Sequence, residues 1–77
     1  MLFARYINES TVEKCPRNGY IGKKAVSNLK RFFNIYPEVA KQEGYTEFIP
    51  SNDEGLGVYR YSVENGKIIE RVVSDDN

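Results

Sequence analysis

Val58-Tyr59-Arg60-Tyr61-Ser62-Val63-Glu64-Asn65-Gly66-Lys67-Ile68-Ile69-Glu70-Arg71-Val72-Val73 is the stretch that decides the fold. Val58–Val63 and Lys67–Val73 are rich in branched and aromatic residues, as strands are. Between them Asn65-Gly66 is the dipeptide favoured in two-residue type I′ hairpin turns, where both central residues need positive φ. Counting outward from that turn pairs Glu64 with Lys67, Val63 with Ile68, Ser62 with Ile69 and Tyr61 with Glu70. Arg60 then meets Arg71, Tyr59 meets Val72, and Val58 meets Val73. Side chains alternate between faces. One face therefore carries Tyr59, Tyr61, Val63, Ile68 and Val72, with Glu70 its single charge, and is expected to lie beneath a helix. The other sets Arg60 against Arg71, a like-charge opposition that costs stability unless relieved. Two readings follow for that pair: a weak anion site, or two long side chains splayed into water.

Working outward, Tyr45–Ile49 reads as a strand stopped by Pro50, and Ser51–Gly57 as a loop. Upstream, Leu29, Phe32, Phe33, Tyr36, Val39 and Ala40 fall at helical spacing and form one apolar stripe. Ser27 is the expected N-cap, its hydroxyl accepting from amides one turn on. Pro37 interrupts the stripe. Inside a helix it would cost ~3 kcal/mol, whereas in a first turn its missing amide costs nothing. Two short helices with a break near Asn34–Tyr36 are therefore expected, with Gly44 as the left-handed residue that ends the second. Leu2–Ile7 and Thr11–Lys14 read as strands joined through Asn8-Glu9-Ser10, and Pro16 ends their pairing. Arg17-Asn18-Gly19 and Gly22 read as a loop.

The fold expected is α+β: a small single domain over residues 1–73, with antiparallel hairpins at both ends. A central helical region of one or two segments packs on one sheet face, and residues 74–77 form a frayed polar tail.

The chain has 77 residues and zero formal charge, but the charge is segregated. Lys14–Pro37 holds Lys14, Arg17, Lys23, Lys24, Lys30 and Arg31 and no acid, giving +6; the residues before it sum to −1 and those after it to −5. A local basic field attracts anions even on a neutral molecule. Lysine and arginine neutralise phosphates, and exposed aromatics stack on unpaired bases. Arg17, Tyr20, Lys23, Lys24, Lys30 and Arg31 are thus the candidate anion or nucleic-acid contacts. Phe32, Phe33 and Tyr36 are assigned to the core by their spacing.

Catalytic chemistry finds little support. There is no histidine, so no Ser-His-Asp or Cys-His arrangement and no histidine metal site can form. Cys15 is the one cysteine; it excludes an internal disulfide and agrees with a reducing compartment. Lys14 and Arg17 beside it favour a thiolate, while a strand-end position favours a partly buried, inert thiol. Asp53-Glu54 lacks the spaced oxygen ligands of a calcium loop and reads as a solvated turn. Gly19-Tyr20-Ile21-Gly22-Lys23-Lys24 has two residues between its glycines where a Walker loop has four. No catalytic, cofactor or metal residues are assigned, no small-molecule substrate is evident, and the chain is expected not to be an enzyme. No run approaches the ~20 apolar residues of a membrane span. The expected location is cytoplasmic, and a core this small favours self-association.

Several pieces together resemble short uncharacterised phage- and prophage-encoded proteins of gut bacteria. They are the strand-turn-strand opening Phe3-Ala4-Arg5-Tyr6-Ile7-Asn8-Glu9 to Pro16-Arg17, the helix start Ser27-Asn28, the exit from Pro37 to Gly44-Tyr45, and the Tyr-rich terminal hairpin. The resemblance implies an accessory structural role beside virion or tail components and transfers no catalytic residues. The basic segment departs from it. The primary expectation is a non-enzymatic structural or protein-interaction module, through a protein partner or a second copy. The alternative is a small nucleic-acid-binding protein using residues 14–37.

Overall fold

In the computed structural model, residues 1–52 and 57–73 are described. The expected frayed tail at 74–77 and the solvated turn at Asp53-Glu54 lie outside them. The elements run β1 (Leu2–Asn8), β2 (Thr11–Lys14), β3 (Gly19–Ile21), β4 (Lys24–Val26), α1 (Leu29–Ile35), α2 (Pro37–Gln42), β5 (Thr46–Ile49), β6 (Val58–Glu64) and β7 (Lys67–Val73). The architecture is α+β in a single domain, mostly sheet. Five strands form a mixed sheet in the order β2-β1-β5-β7-β6, and β3 and β4 form a separate two-stranded ribbon.

The terminal hairpin takes the register that its turn dictates, with all seven pairs from Glu64–Lys67 to Val58–Val73 as counted. Asn65 and Gly66 have φ of 53° and 74°, the left-handed values a type I′ turn needs. At the other end β1 and β2 pair antiparallel, with a shift in register between Tyr6 and Asn8. Strand β5 sits between the two hairpins. It runs antiparallel to β1 and parallel to β7, with Phe48 opposite both Leu2 and Ile68.

The helical region divides at Tyr36, and Pro37 opens α2 at its first position, where a missing amide leaves no hydrogen bond unmade. Gly44, at φ 88°, closes α2 together with bonds from Gly44 N to the Lys41 carbonyl and from Tyr45 N to the Ala40 carbonyl.

Two local expectations change. The N-cap of α1 is Asn28 and not Ser27: Asn28 has extended backbone, and its Oδ1 accepts from Arg31 N at 3.0 Å. Ser27 lies one residue too early to serve. Residues 19–26 are also more ordered than a loop, because Gly22 takes φ 61° and lets the chain reverse from β3 into β4.

The third change concerns which face the helices cover. Phe3, Leu29, Phe33, Ala40 and Tyr45 form one buried cluster, with Phe3 edge-on to Phe33 at 5.8 Å. Ala4, Phe48 and Ile68 form a second, with Val12 and Tyr61 packed against it. Neighbouring residues in a strand point to opposite faces. Phe3 therefore marks the helix-covered face, and Ala4, Phe48 and Ile68 mark the other. Register carries Tyr61, Tyr59, Val63 and Val72 to that second face too. The apolar side of the terminal hairpin lies away from the helices, not beneath them. The Tyr61 amide donates to the Glu9 carbonyl at 2.7 Å, so β6 curls toward the tip of the first hairpin and partly encloses the second cluster.

Candidate binding surfaces

The helix-free face follows from strand parity. Leu2, Ala4, Tyr6, Val12, Phe48, Ile68, Val72, Tyr59, Tyr61 and Val63 share it, with two charges, Lys14 and Glu70. Neither charge is left bare. The Lys14 ammonium lies 5.9 Å from the Phe48 ring centre. The Glu70 carboxylate accepts from Ser51 N at 3.1 Å and is hydrogen-bonded to the Tyr61 hydroxyl. Burial, reinforced by that bond, pushes the Tyr61 hydroxyl above its ordinary pKa. Alanine and isoleucine fill the middle of this face completely, yet Tyr59 and Val63 remain 47% and 51% exposed and Tyr6 41%.

The opposite face, outside the helix footprint, is charged. Arg5 pairs with Glu13 at 3.6 Å, Lys67 with Glu47 at 3.3 Å and Arg71 with Glu64 at 2.9 Å. Arg60 and Arg71 are indeed opposed in register. Their repulsion is relieved locally: Arg71 turns to Glu64 and to the Ser62 hydroxyl, and Arg60 donates to the Tyr59 carbonyl at 3.0 Å. Hydrogen bonds from Arg71 and Ser62 hold the Glu64 carboxyl below its ordinary range. An anion at this pair would compete with Glu64 for Arg71.

The basic residues stand on the ribbon and α1 but on different faces: Arg17 and Arg31 line one concavity, Lys30 lines another with Lys14 and Glu70, and Lys24 shares the ribbon face of Ile21. Tyr20 and Lys24 stand on β3 and β4, Lys23 in the turn between them, and Lys30 and Arg31 in the first turn of α1. The base of the ribbon is tied to the helix by Leu29 N donating to the Arg17 carbonyl at 2.9 Å. Ile21 and Val26 pack against the helix cluster. Tyr20, on the ribbon's other face opposite Ala25, is 72% exposed. Among the described residues, no ion pair involves Lys14, Arg17, Lys23, Lys24, Lys30 or Arg31. The three ion pairs among the described residues draw their cations from Arg5, Lys67 and Arg71.

Cys15 is half-buried against the helix cluster, and its thiol donates to the Pro16 carbonyl at 3.4 Å. Burial pushes the thiol above its ordinary pKa; the cation that opposes this is Arg5, not the sequence neighbours Lys14 and Arg17. Of the two readings of Cys15, the geometry agrees with the partly buried, inert thiol expected at a strand end and not with a thiolate activated by Lys14 and Arg17. Among the described residues, no three His, Cys, Asp or Glu side chains gather as a metal site, and no helix is long and apolar enough to cross a membrane.

Sequence patterning located the basic residues and the hairpin's apolar face, but not the side of the sheet on which that face falls. The signal for that lay in Phe48, whose register with Leu2 and Ile68 joins the two hairpins. Comparison with protein families, with curated proteins and with solved structures found no match.

Proposed function

We propose that this chain is a non-enzymatic structural module that works by protein–protein contact, and that a second copy of the chain covers the helix-free face of its sheet. One observation carries this reading: the apolar side of the β6–β7 hairpin lies away from both helices, with Tyr59 and Val63 about half exposed. A sheet face of this composition is normally packed on another layer. Contiguous apolar surface rimmed by polar residues marks interaction sites.

A second copy fits better than a charged partner. The face presents Tyr6, Tyr59 and Val63, while its two charges are engaged within the protomer. Two such faces related by a two-fold axis meet without opposing like charges. Tyrosine-rich, charge-depleted patches are typical of interface centres.

Size-exclusion chromatography with light scattering tests this. The chain is expected to run as a dimer at high micromolar concentration in both physiological and molar salt. Val63→Lys places an ammonium on the face and is expected to give monomer, with Arg60→Gln on the opposite face leaving the dimer intact. A parent chain that stays monomeric, or a Val63→Lys variant that stays dimeric, overturns the proposal.

A further inference from the structure

We infer that the ribbon and α1 form a second, independent site that binds single-stranded nucleic acid, with Tyr20 stacking on a base and Arg17 and Arg31 holding the backbone phosphates.

Two adjoining concavities run along this part of the surface and share Val26 and Ser27. One is bounded by Tyr20 and Asn18, the other by Arg17, Arg31 and Phe32. Side by side they form a shallow groove with an aromatic at one end, the guanidinium-bearing residues Arg17 and Arg31 at the other, and Ser27 between. Among the described residues, no carboxylate lines either part. No acid occurs anywhere from Lys14 to Pro37. Lys23 lies in the turn at the ribbon tip; Lys24, opposite Ile21, stands on the ribbon face away from Tyr20, and Lys30 lines a separate concavity with Lys14 and Glu70, so neither belongs to this site.

The groove is built on fixed backbone. The Arg17 carbonyl accepts the Leu29 amide, and the Arg31 amide is held by Asn28 Oδ1 at 3.0 Å. Ile21 and Val26 anchor the ribbon to the core through the face opposite Tyr20. The cross-strand partner of Tyr20 is Ala25, a side chain too small to cover the ring. An exposed, uncovered aromatic is poor economy for stability, yet it is the element a stacking site requires.

Single strands are favoured over duplex because stacking needs an unpaired base face, which a duplex hides within its own stack. Arginine also suits phosphate, since its planar fork donates two parallel hydrogen bonds. The acids of the chain lie outside this segment, and three of them are already paired to Arg5, Lys67 and Arg71.

Fluorescence anisotropy with labelled oligothymidylate and oligouridylate tests the site, using a duplex of matched length and heparin, a polyanion without bases, as competitors. The expected result is saturable single-strand binding that resists heparin and duplex better than it resists unlabelled single strand. With about three phosphates contacted, the logarithm of affinity should fall with that of salt at a slope of about −2. Arg17→Gln with Arg31→Gln should abolish binding. Tyr20→Ala should weaken it about tenfold, with Tyr20→Phe restoring it. Tyr20 is exposed, so its replacement leaves the fold intact, which circular dichroism verifies. The DNA and RNA arms report whether a 2′-hydroxyl is read, and either preference agrees with the site. Absence of binding at low salt overturns the inference. So does binding that heparin removes equally well and that Tyr20→Ala leaves unchanged, which would mark general adhesion to polyanions. The Val63→Lys monomer should bind as the parent does, so this site and the sheet-face contact can fail separately.

Discussion

Phe3 and Ala4, adjacent in β1, are buried in different cores: Phe3 packs edge-on against Phe33 under the helices, and Ala4 packs with Phe48 and Ile68 on the far side of the sheet. Strand parity makes this division, and it leaves the chain with two small clusters in place of one. The helices serve the first. The second is enclosed by β6 curling toward β1 and β2, with Val12 and Tyr61 packed against it. The exposure of Tyr6 and Tyr59 follows from that arrangement.

Phe33 is the centre of the first cluster, 1% exposed and in contact with the rings of Phe3, Phe32 and Tyr45. Truncation of a buried Phe costs about 3–5 kcal/mol, a large share of the stability of any small domain. Phe33→Ala is expected to lose the cooperative thermal transition seen by circular dichroism. Phe32→Ala, at a half-buried position, should retain it with a lowered midpoint.

The cap of α1 distinguishes neighbouring residues. Asn28→Ala removes the acceptor for the Arg31 amide and should cost about 1 kcal/mol in urea unfolding. Ser27→Ala is expected to be close to neutral. A larger loss at Ser27 than at Asn28 would contradict the cap assignment.

Alkaline pH should destabilise the fold. Burial raises the pKa of Cys15, Tyr45 and Tyr61, in the last case together with the bond to Glu70. For each group the folded protein holds its proton more tightly than the unfolded chain does. The stabilisation is fully present below the ordinary thiol and phenol values of 9.0 and 10.0 and is lost as pH rises through the folded values. Melting temperature should be level near neutrality and fall above that window. Ultraviolet titration should show some tyrosines ionising late.

Glu64 has the opposite sign. Its lowered carboxyl pKa contributes stability above the unfolded value, lost as pH falls through the folded one. The pair is exposed, so its effect on melting should be slight. Arg71→Gln should instead be read by carboxyl NMR titration, where Glu64 is expected to move up toward the ordinary range. An unmoved Glu64 would contradict the pairing.

What the sequence made legible was short in range. Asn65-Gly66 fixed seven strand pairs because a two-residue turn leaves no other register, and Pro37 placed the helix break because its ring forbids a helix interior. The ribbon escaped notice because three-residue strands are too short to display alternation, and Gly22 reads equally as loop or turn. The face of the hairpin escaped notice for a different reason. It depends on β5, four residues long, entering between β1 and β7 in parallel with β7, a long-range pairing with no local signature. At the candidate sites, charge was visible as composition. The ion pair that engages Arg71 and the small Ala25 opposite Tyr20 emerged with the cross-strand geometry.

The most direct test of the central claim is an isotope-filtered NMR experiment on a mixture of labelled and unlabelled chains, which detects contacts between copies alone. The account predicts intermolecular contacts from the Val63 methyl groups and the Tyr59 and Tyr6 rings of one copy to the same face of the other. A concentrated sample with no intermolecular contacts, or with contacts confined to the β3–β4 ribbon and the helices, would contradict it.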